Sequence, residues 1–500
     1  MRALSKSKLL AYRQCHRRLW LEVHHLELRE DSEATELTFR IGHQVGDLAR
    51  RLYDPKNMGV TIDLKQSGME AAFAQTMAAL DQSVPVFEAG FSAGGALAFA
   101  DIMLPVKRAG ELAWRMVEVK SSTSVKNYYR DDVAVQAFVA KTAGVKLDSV
   151  SVAHIDRTFV YQGAENYDGL LIENDLTVEA LKRQGEVKTW IAEAQSILKS
   201  TVEPSIKTGR HCNDPYECGF QSHCRSGEAQ AKHPASLLPR VQARALKAFL
   251  EEHRAIKLED ISDDLLNDRQ RRVKSHTLSD STFFDEAGAA ADLAPHKLPA
   301  YFLDFETIQF PVPIWKGTRP YQQIPFQFSM HFLPKGKPIE HHAFLDVSGN
   351  EPSKLFAEAL IEHCGSKGPI FVYNAGFETT RIKELAERFS RLKTPLLAIN
   401  KRVVDLLRVA EQRYYHPSQQ GSWSIKKLLP AIAPDLRYET LDGVQDGGMA
   451  MQAYLEALAT STSPLRKQQI EQQLLAYCKL DTYAMVRTWQ HFAGQNDLKL

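Results

Sequence analysis

The sequence predicts an α/β protein of two domains joined by a helical connector, and three features carry that prediction. Its 500 residues are too many for one ordinary hydrophobic core. Strand-like apolar runs alternate with stretches of helical spacing in residues 1–228, and again in residues 299–500. Between them, residues 229–298 read as helical segments broken by a polar, charged stretch. Hydrophobic residues make up 44% and charged residues 25%, as in globular domains. No apolar run approaches the roughly 18–20 residues needed to span a bilayer, so no membrane association is expected. The opening MRALSKSKLLAYRQCHRRLW has no apolar core before a small-residue cleavage site, so the expected compartment is cytoplasmic. A net charge of +1 excludes a uniformly basic nucleic-acid binder but not a local positive groove.

In residues 1–228, a helix is expected over 5–22, with Leu9, Tyr12, Leu19 and Trp20 as its apolar positions, and a second over 39–52. Residues 86–105 change to two β-like runs around Gly94-Gly95, a hairpin signal. A third run follows the turn Arg108-Ala109-Gly110. Residues 126–143 return to helical spacing, with Val133, Ala137, Phe138 and Ala140 on the apolar side, and 148–156 reads as a strand. In residues 299–500, YFLDFE, PFQFSMHFL and PIFVYN read as strands, between helical runs near 353–364, 378–388 and 465–491. That order predicts a mixed sheet.

Three constellations carry chemistry. In the first, Asp101 ends one strand-like run while Glu118 and Lys120 lie two apart on the next, and therefore face one side. A hairpin would bring Asp101 beside them. Two carboxylates offer oxygen ligands to Mg²⁺ or Mn²⁺, and a lysine can orient water and offset charge on a phosphate. The alternative is an ion pair on a half-exposed strand.

In the second, Cys212, Cys218 and Cys224 are spaced C-x5-C-x5-C, with Cys15 far upstream in RQCHRR. Clustered cysteines in a reducing compartment point to metal rather than disulfides. Four thiolates hold zinc or an iron–sulfur cluster, and the loose spacing leans toward the cluster; the alternative is three or four buried free thiols. Cys364 and Cys478 lie in apolar helical contexts and read as buried thiols.

Together these pieces resemble the RecB-like PD-(D/E)XK nucleases that carry a four-cysteine iron–sulfur cluster, a group that includes CRISPR-associated RecB-like exonucleases. The match rests on Cys15, Asp101, Glu118-Val119-Lys120, the helix bearing Gln136, and Cys212, Cys218 and Cys224. The resemblance implies a restriction-endonuclease-like fold, a structural [4Fe–4S] cluster that clamps the domain ends, and metal-dependent DNA exonuclease activity. It also offers Glu88 and His43 as accessory metal ligands.

In the third, Asp304 and Glu306 lie two apart on an apolar strand, where burying both acids without a metal would be costly; the alternative is a solvated pair at a sheet edge. Asn374 and Glu378 fall at a strand-to-helix turn, and Tyr477 and Asp481 share one helical face. This pattern resembles the DEDD exonucleases of the DnaQ-like, ribonuclease-H-like superfamily, in the form whose last motif is Y-x3-D. The resemblance implies two metal ions held by Asp304, Glu306, Glu378 and Asp481, with Tyr477 positioning water. The family's third acid is usually aspartate, so Glu378 is a departure. Asp405 is an alternative, although its other reading is a helix cap. The segments LDFET, VYNAGFE and GSWSIKKLLP also resemble an uncharacterised bacterial family in which a RecB-like nuclease is fused to a domain of unknown function.

The expected organisation is a PD-(D/E)XK nuclease domain in residues 1–228, a helical connector in 229–298 and a ribonuclease-H-like mixed-sheet domain in 299–500. The expected function is a metal-dependent nuclease with two sites, acting on DNA in repair or defence. Alternatives are an RNA-processing exonuclease whose N-terminal domain binds substrate, and a non-catalytic nucleic-acid adaptor. Expected substrate contacts are Arg17-Arg18, Lys126 with Tyr128-Tyr129-Arg130, Arg269 with Arg271-Arg272, Lys401-Arg402, and Trp423 with Lys426-Lys427. Trp423 is the leading candidate for base stacking, or else it packs beneath the helix that Ser424 begins.

Overall fold

The computed structural model describes residues 3–228, 231–253 and 257–495. The chain is mixed α/β and divides into two compact units, Met1–Glu228 with Phe310–Tyr321, and Ala229–Gln309 with Gln322–Leu500. This division departs from the sequence expectation in two places. Residues 229–298 are not a separate connector: Val273, Ala289 and Leu293 enter the same core as Phe302 and Trp489, and Phe283–Phe284 pairs antiparallel with Tyr414–Tyr415. Residues 310–321 belong to the first unit, where Val312 packs with Val45, Ile155 and Leu170 and the Tyr321 hydroxyl donates to the Ser121 carbonyl.

Among the described residues, the first unit holds a seven-stranded sheet. Its strands are β1 (Leu4–Ser5), β2 (Val60–Thr61), β3 (Val86–Ala93), β4 (Ala96–Arg108), β5 (Glu111–Lys120), β6 (Leu147–Ile155) and β7 (Leu171–Asp175). They run in the order β2-β3-β4-β5-β6-β7, with β1 against the start of β4. Strands β3, β4 and β5 form an antiparallel meander. The β3–β4 turn has φ +61 at Gly94 and +84 at Gly95, a geometry that only glycine adopts freely at both positions. The helix Asn127–Thr142 then crosses over so that β6 lies parallel to β5.

The ladder along β4 is interrupted where the acidic residues lie. The same edge of β4 pairs with β1 at Ala96 and Leu97 and with β5 only from Ile102 onward. Between those contacts the strands part, and Asp101 and Glu118 lie at the opening. The helix expected over 5–22 is likewise two helices, Lys6–Gln14 and His16–His24, interrupted by extended backbone at Cys15 (φ −163, ψ 127).

The second unit holds a five-stranded sheet made of β9 (Ala300–Ile308), β10 (Ile324–Leu333), β11 (Glu340–Leu345), β12 (Ile370–Val372) and β13 (Val403–Asp405). The pair Phe283–Phe284 and Tyr414–Tyr415 forms the separate ribbon of β8 and β14. The five-stranded order is β11-β10-β9-β12-β13. Strands β9, β10 and β11 pair antiparallel, whereas β12 runs parallel to both β9 and β13. Central strand β9 is packed on both faces, which explains its nearly continuous apolar run. Phe305 meets Phe356 on one side (ring centroids 4.9 Å apart), and Phe302 meets Trp489 on the other (5.9 Å). Phe302, Asp304 and Glu306 therefore point toward the long helix Pro464–Phe492. No helix among the described residues is long and apolar enough to cross a membrane.

Candidate functional site

In the first unit the gap between β4 and β5 is lined by four of the residues singled out in the sequence. Val119 N–H donates to Asp101 Oδ2 (2.7 Å), so the Asp101 side chain closes part of the missing ladder. Gln136, in the helix Asn127–Thr142, donates to the Phe99 carbonyl (2.7 Å) and to Glu118 Oε2 (2.5 Å). Lys120 Nζ lies 2.7 Å from Glu118 Oε1 and 2.6 Å from Asp132 Oδ2.

Two members of this site were missed by sequence reasoning. Lys6 Nζ donates to Glu118 Oε1 at 2.8 Å and lies 3.7 Å from Asp132 Oδ1. Asp132 is buried one turn before Gln136 on the same helix face. The Asp132-x3-Gln136 spacing was a legible signal, whereas nothing in SKSK marks Lys6. Burial acts to raise the Glu118 carboxyl, but the ammonium groups of Lys120 and Lys6 outweigh it and hold the carboxyl well below its ordinary value. Asp101 is raised, first by burial and then by the facing Glu118.

Glu88 and His43 do not join Asp101 and Glu118 in a compact ligand set, since the one such group among the described residues lies in the second unit. Glu88 sits across from Asp101 on β3 with φ +55, between the paired Phe87 and Ala89; burial, and after it the facing Glu118, raise its carboxyl against Arg50, Lys6 and His43. His43 is exposed on the helix Glu33–Tyr53.

That one group is Asp304, Glu306 and Asp481, whose ligand atoms all lie within 4.8 Å of one another. Cross-strand neighbours set the geometry. Ser329 opposes Asp304 and Gln327 opposes Glu306. Gln327 Nε2 donates to the Leu474 carbonyl (2.8 Å), and Ser329 bonds to Thr482 (2.8 Å), which ties the helix bearing Asp481 onto the sheet. Burial first, and then Asp481, Glu306 and Glu378, push Asp304 well above the ordinary carboxylate range. Burial and Asp481 raise Glu306 to about 8. Asp481 is raised to about 6 by burial, against the hydrogen bond from Tyr438.

Tyr477 is buried one turn before Asp481, as the spacing predicts, and its ring lies 6.3 Å from that of Tyr438. Tyr438 was not foreseen, because its short 3₁₀ turn carries no motif, yet its hydroxyl donates to Asp481 Oδ1 at 2.5 Å. Lys426 Nζ lies 4.9 Å from the Tyr438 ring centre and 5.3 Å from that of Tyr477. Glu378 stands outside the three-acid group. It is buried, its Oε2 has no hydrogen-bond partner, and burial raises it to about 8. Asp405 caps the helix Leu406–Arg413 through Leu407 N–H (3.0 Å) and also accepts from Asn374 N–H (3.0 Å).

Cys15, Cys212, Cys218 and Cys224 line one pocket together with Arg17 and Arg18. Trp20, Leu21 and Phe220 pack around the three late cysteines. No three of the four sulfurs lie within 4.8 Å of one another, a wider spread than the ligands of a single ion would have. Burial raises the Cys15 and Cys218 thiols and takes Cys224 to about 11. Cys364 is buried against Met330, and Cys478 is buried beside Asp304.

Most of the expected substrate contacts are engaged within the protein. Arg17 pairs with Glu203, Arg18 with Glu22, and Arg269 with Glu411. Arg272 donates to the carbonyls of Glu411 and Gln412, and Arg402 to those of Cys364, Gly365, Lys367 and Gly368. Trp423 is buried and donates to the Tyr414 carbonyl (2.7 Å), so it packs rather than offering a stacking face.

Residues 301–424 match a domain of unknown function (DUF2779). An uncharacterized protein of Ureaplasma parvum serovar 3 is 26% identical over 220 residues, covering 40% of this chain and 32% of that protein. The chain thus spans about a third of the length of that curated relative.

The acid cluster predicts a linkage between pH, cation and stability. Unfolded carboxyls titrate near pH 4, whereas in the fold Asp481 reaches about 6 and Glu306 and Glu378 about 8. The folded state binds more protons over that window, so metal-free stability falls as pH rises from about 4 through 8. A cation bound to the folded acids opposes the loss. Thermal melts are expected to show Mn²⁺ raising Tm by several degrees at about pH 8 and far less at about pH 5. Asp304→Asn should raise the metal-free Tm and remove the Mn²⁺ effect. A Tm indifferent to Mn²⁺ at the higher pH would contradict the site.

Proposed function

We propose that this chain is a metal-dependent nuclease with one phosphodiester-cleaving site in each unit, acting on DNA ends in repair or defence. The observation that carries this reading is the close group of Asp304 and Glu306, both partly buried, and the buried Asp481, three oxygen donors drawn together with no ion pair to a lysine or arginine among the described residues. Hard divalent cations such as Mg²⁺ and Mn²⁺ suit such a donor set. When bound there, a divalent cation lowers the pKa of water and offsets charge on phosphate oxygens. Tyr438 fixes the Asp481 carboxylate, and Tyr477 faces the same acids from one turn earlier. Lys426 supplies positive charge beside both rings, where it can meet a phosphate. The strand order β11-β10-β9-β12-β13, with its change from antiparallel to parallel at β9, supports a ribonuclease-H-like reading.

In the first unit, the antiparallel meander followed by a crossover helix and a parallel strand supports the PD-(D/E)XK reading. Asp101 and Glu118 would share a cation there, with Lys120 directed at the attacking water or the scissile phosphate. Gln136 holds the Glu118 carboxylate in place, and removing it would leave the buried Glu118 Oε2 without that partner, at a cost of about 1–3 kcal/mol. The four cysteines line one pocket and are the donor type that a [4Fe–4S] cluster takes. Its role would be to fasten Cys15, near the start of the unit, to the three cysteines at its end.

One observation favours a second arrangement, in which the first unit binds the strand and the second cleaves it. Two ammonium groups already occupy Glu118 Oε1. End-labelled single-stranded DNA and RNA, incubated with Mn²⁺, separate these readings. Two sites predict that Glu118→Gln and Asp304→Asn each remove a distinct activity, with a loss of at least about 100-fold. One cleaving unit predicts that Asp304→Asn removes all cleavage, while Glu118→Gln changes only affinity. An inert wild-type chain would overturn both. Anaerobically purified protein should also hold close to four iron and four sulfide ions per chain, lost in Cys224→Ser and kept in Cys364→Ser. Iron-free protein of undiminished stability would remove the cluster from the proposal.

A further inference from the structure

The first unit contains a second concavity that the proposed chemistry leaves unused. It has a volume of about 650 Å³, within the roughly 300–1,000 Å³ typical of small-ligand sites. Its walls come from three places in the sequence. Leu10 and Arg13 belong to the helix Lys6–Gln14, Tyr128 to the first turn of Asn127–Thr142, and Arg210 and Tyr216 to the segment on either side of Cys212. Tyr128 and Tyr216 meet edge to face, 5.9 Å between ring centres; the Arg18 guanidinium covers one face of Tyr216 (4.9 Å), and both rings remain partly accessible. Gln14 Nε2 donates to the carbonyls of His211 (2.7 Å) and Tyr216 (2.8 Å) and so fixes that segment against the helix.

The cavity adjoins the acidic site. The Tyr128 hydroxyl donates to that of Tyr129 (3.2 Å), and the Tyr129 ring lies 5.0 Å from Lys120 Nζ. The charges in the walls also matter. Asp131 is neutralised by Arg13 (3.1 Å) and Arg183 (2.6 Å). Arg210 is 88% exposed and lies 3.7 Å from the likewise solvated Asp214, a pairing weak enough to yield to a phosphate.

We infer that this cavity receives one unpaired nucleotide of a single-stranded DNA substrate, its base against Tyr216 and Tyr128 and its phosphate toward Arg210, next to the Asp101–Glu118 site. The inference rests on the nuclease reading of the first unit and names where its substrate lies. An aromatic wall with an exposed cation at the rim is the usual means of holding single strands, because every base has a face to stack while a paired base does not offer one. A cavity of this size holds about one nucleotide and does not hold a duplex within it. In this arrangement the cysteine-bearing segment builds one wall of the substrate site, so the four thiols act on binding without touching the reacting atoms.

The test is fluorescence anisotropy of fluorescein-labelled oligo(dT) with the full-length protein in Ca²⁺, beside cleavage in Mn²⁺. Tyr216→Ala should weaken binding about ten-fold, the scale of one lost base–aromatic stack. Tyr216→Phe should stay within about two-fold of wild type. Arg210→Glu lies at the surface and carries the test if Tyr216→Ala melts early. It too should weaken binding, and its loss should shrink as salt rises. A 2-aminopurine placed at the bound nucleotide should be quenched in wild type and not in Tyr216→Ala. If wild type binds and cleaves through Glu118 while Tyr216→Ala and Arg210→Glu bind equally well, the cavity is not the substrate site and the nuclease reading survives. Tighter binding of duplex or of RNA overturns the assignment to single-stranded DNA. If wild type neither binds nor cleaves, both readings fall.

Discussion

Both units depend on how a protein can bury carboxylates side by side. Removing a carboxylate from water costs several kcal/mol unless a proton, a fixed cation or a bound metal offsets it. The two units solve this differently. In the first, Lys6 and Lys120 keep Glu118 charged, with Gln136 completing its shell. In the second, Asp304, Glu306 and Asp481 have two tyrosines and one lysine nearby, and their affinity for protons is raised by burial and by one another. The second arrangement is unfavourable to hold charged without a cation, and this supports the metal centre proposed there.

The helix Lys6–Gln14 connects the two chemistries of the first unit. Lys6 begins it inside the acidic site, and Cys15 ends it inside the thiol pocket. The extended backbone at Cys15 breaks what the apolar spacing predicts to be one helix over 5–22 into Lys6–Gln14 and His16–His24. A local irregularity in the backbone thus places a sulfur at one end of a rigid element and an ammonium at the other.

Much of this was legible in the sequence where period and turn chemistry agree. The Gly94-Gly95 hairpin, the Glu118–Lys120 alternation and the Tyr477–Asp481 helical spacing all follow from local rules. What was not legible depends on contacts between distant segments. Nothing around Lys6 announces that its ammonium reaches Glu118, 112 residues away. Tyr438 sits in a short turn without periodicity. Glu378 has the residue type expected of a ligand, but the start of its helix leaves it outside the three-acid group. Residues 229–298 looked like a connector because their charged faces dominate the composition, while the few apolar positions, Val273, Ala289 and Leu293, are those that enter the core. Trp423 and the paired arginines resembled a substrate surface because composition cannot distinguish an exposed cation from one that caps buried carbonyls.

Whether the buried carboxylates of the second unit form a divalent-cation centre is decided most directly by anomalous diffraction at the manganese edge, from crystals grown with Mn²⁺. A strong anomalous peak is predicted within bonding distance of Asp304, Glu306 and Asp481, absent in crystals of Asp304→Asn. Crystals saturated with Mn²⁺ that show no peak among these three side chains would contradict a metal centre there.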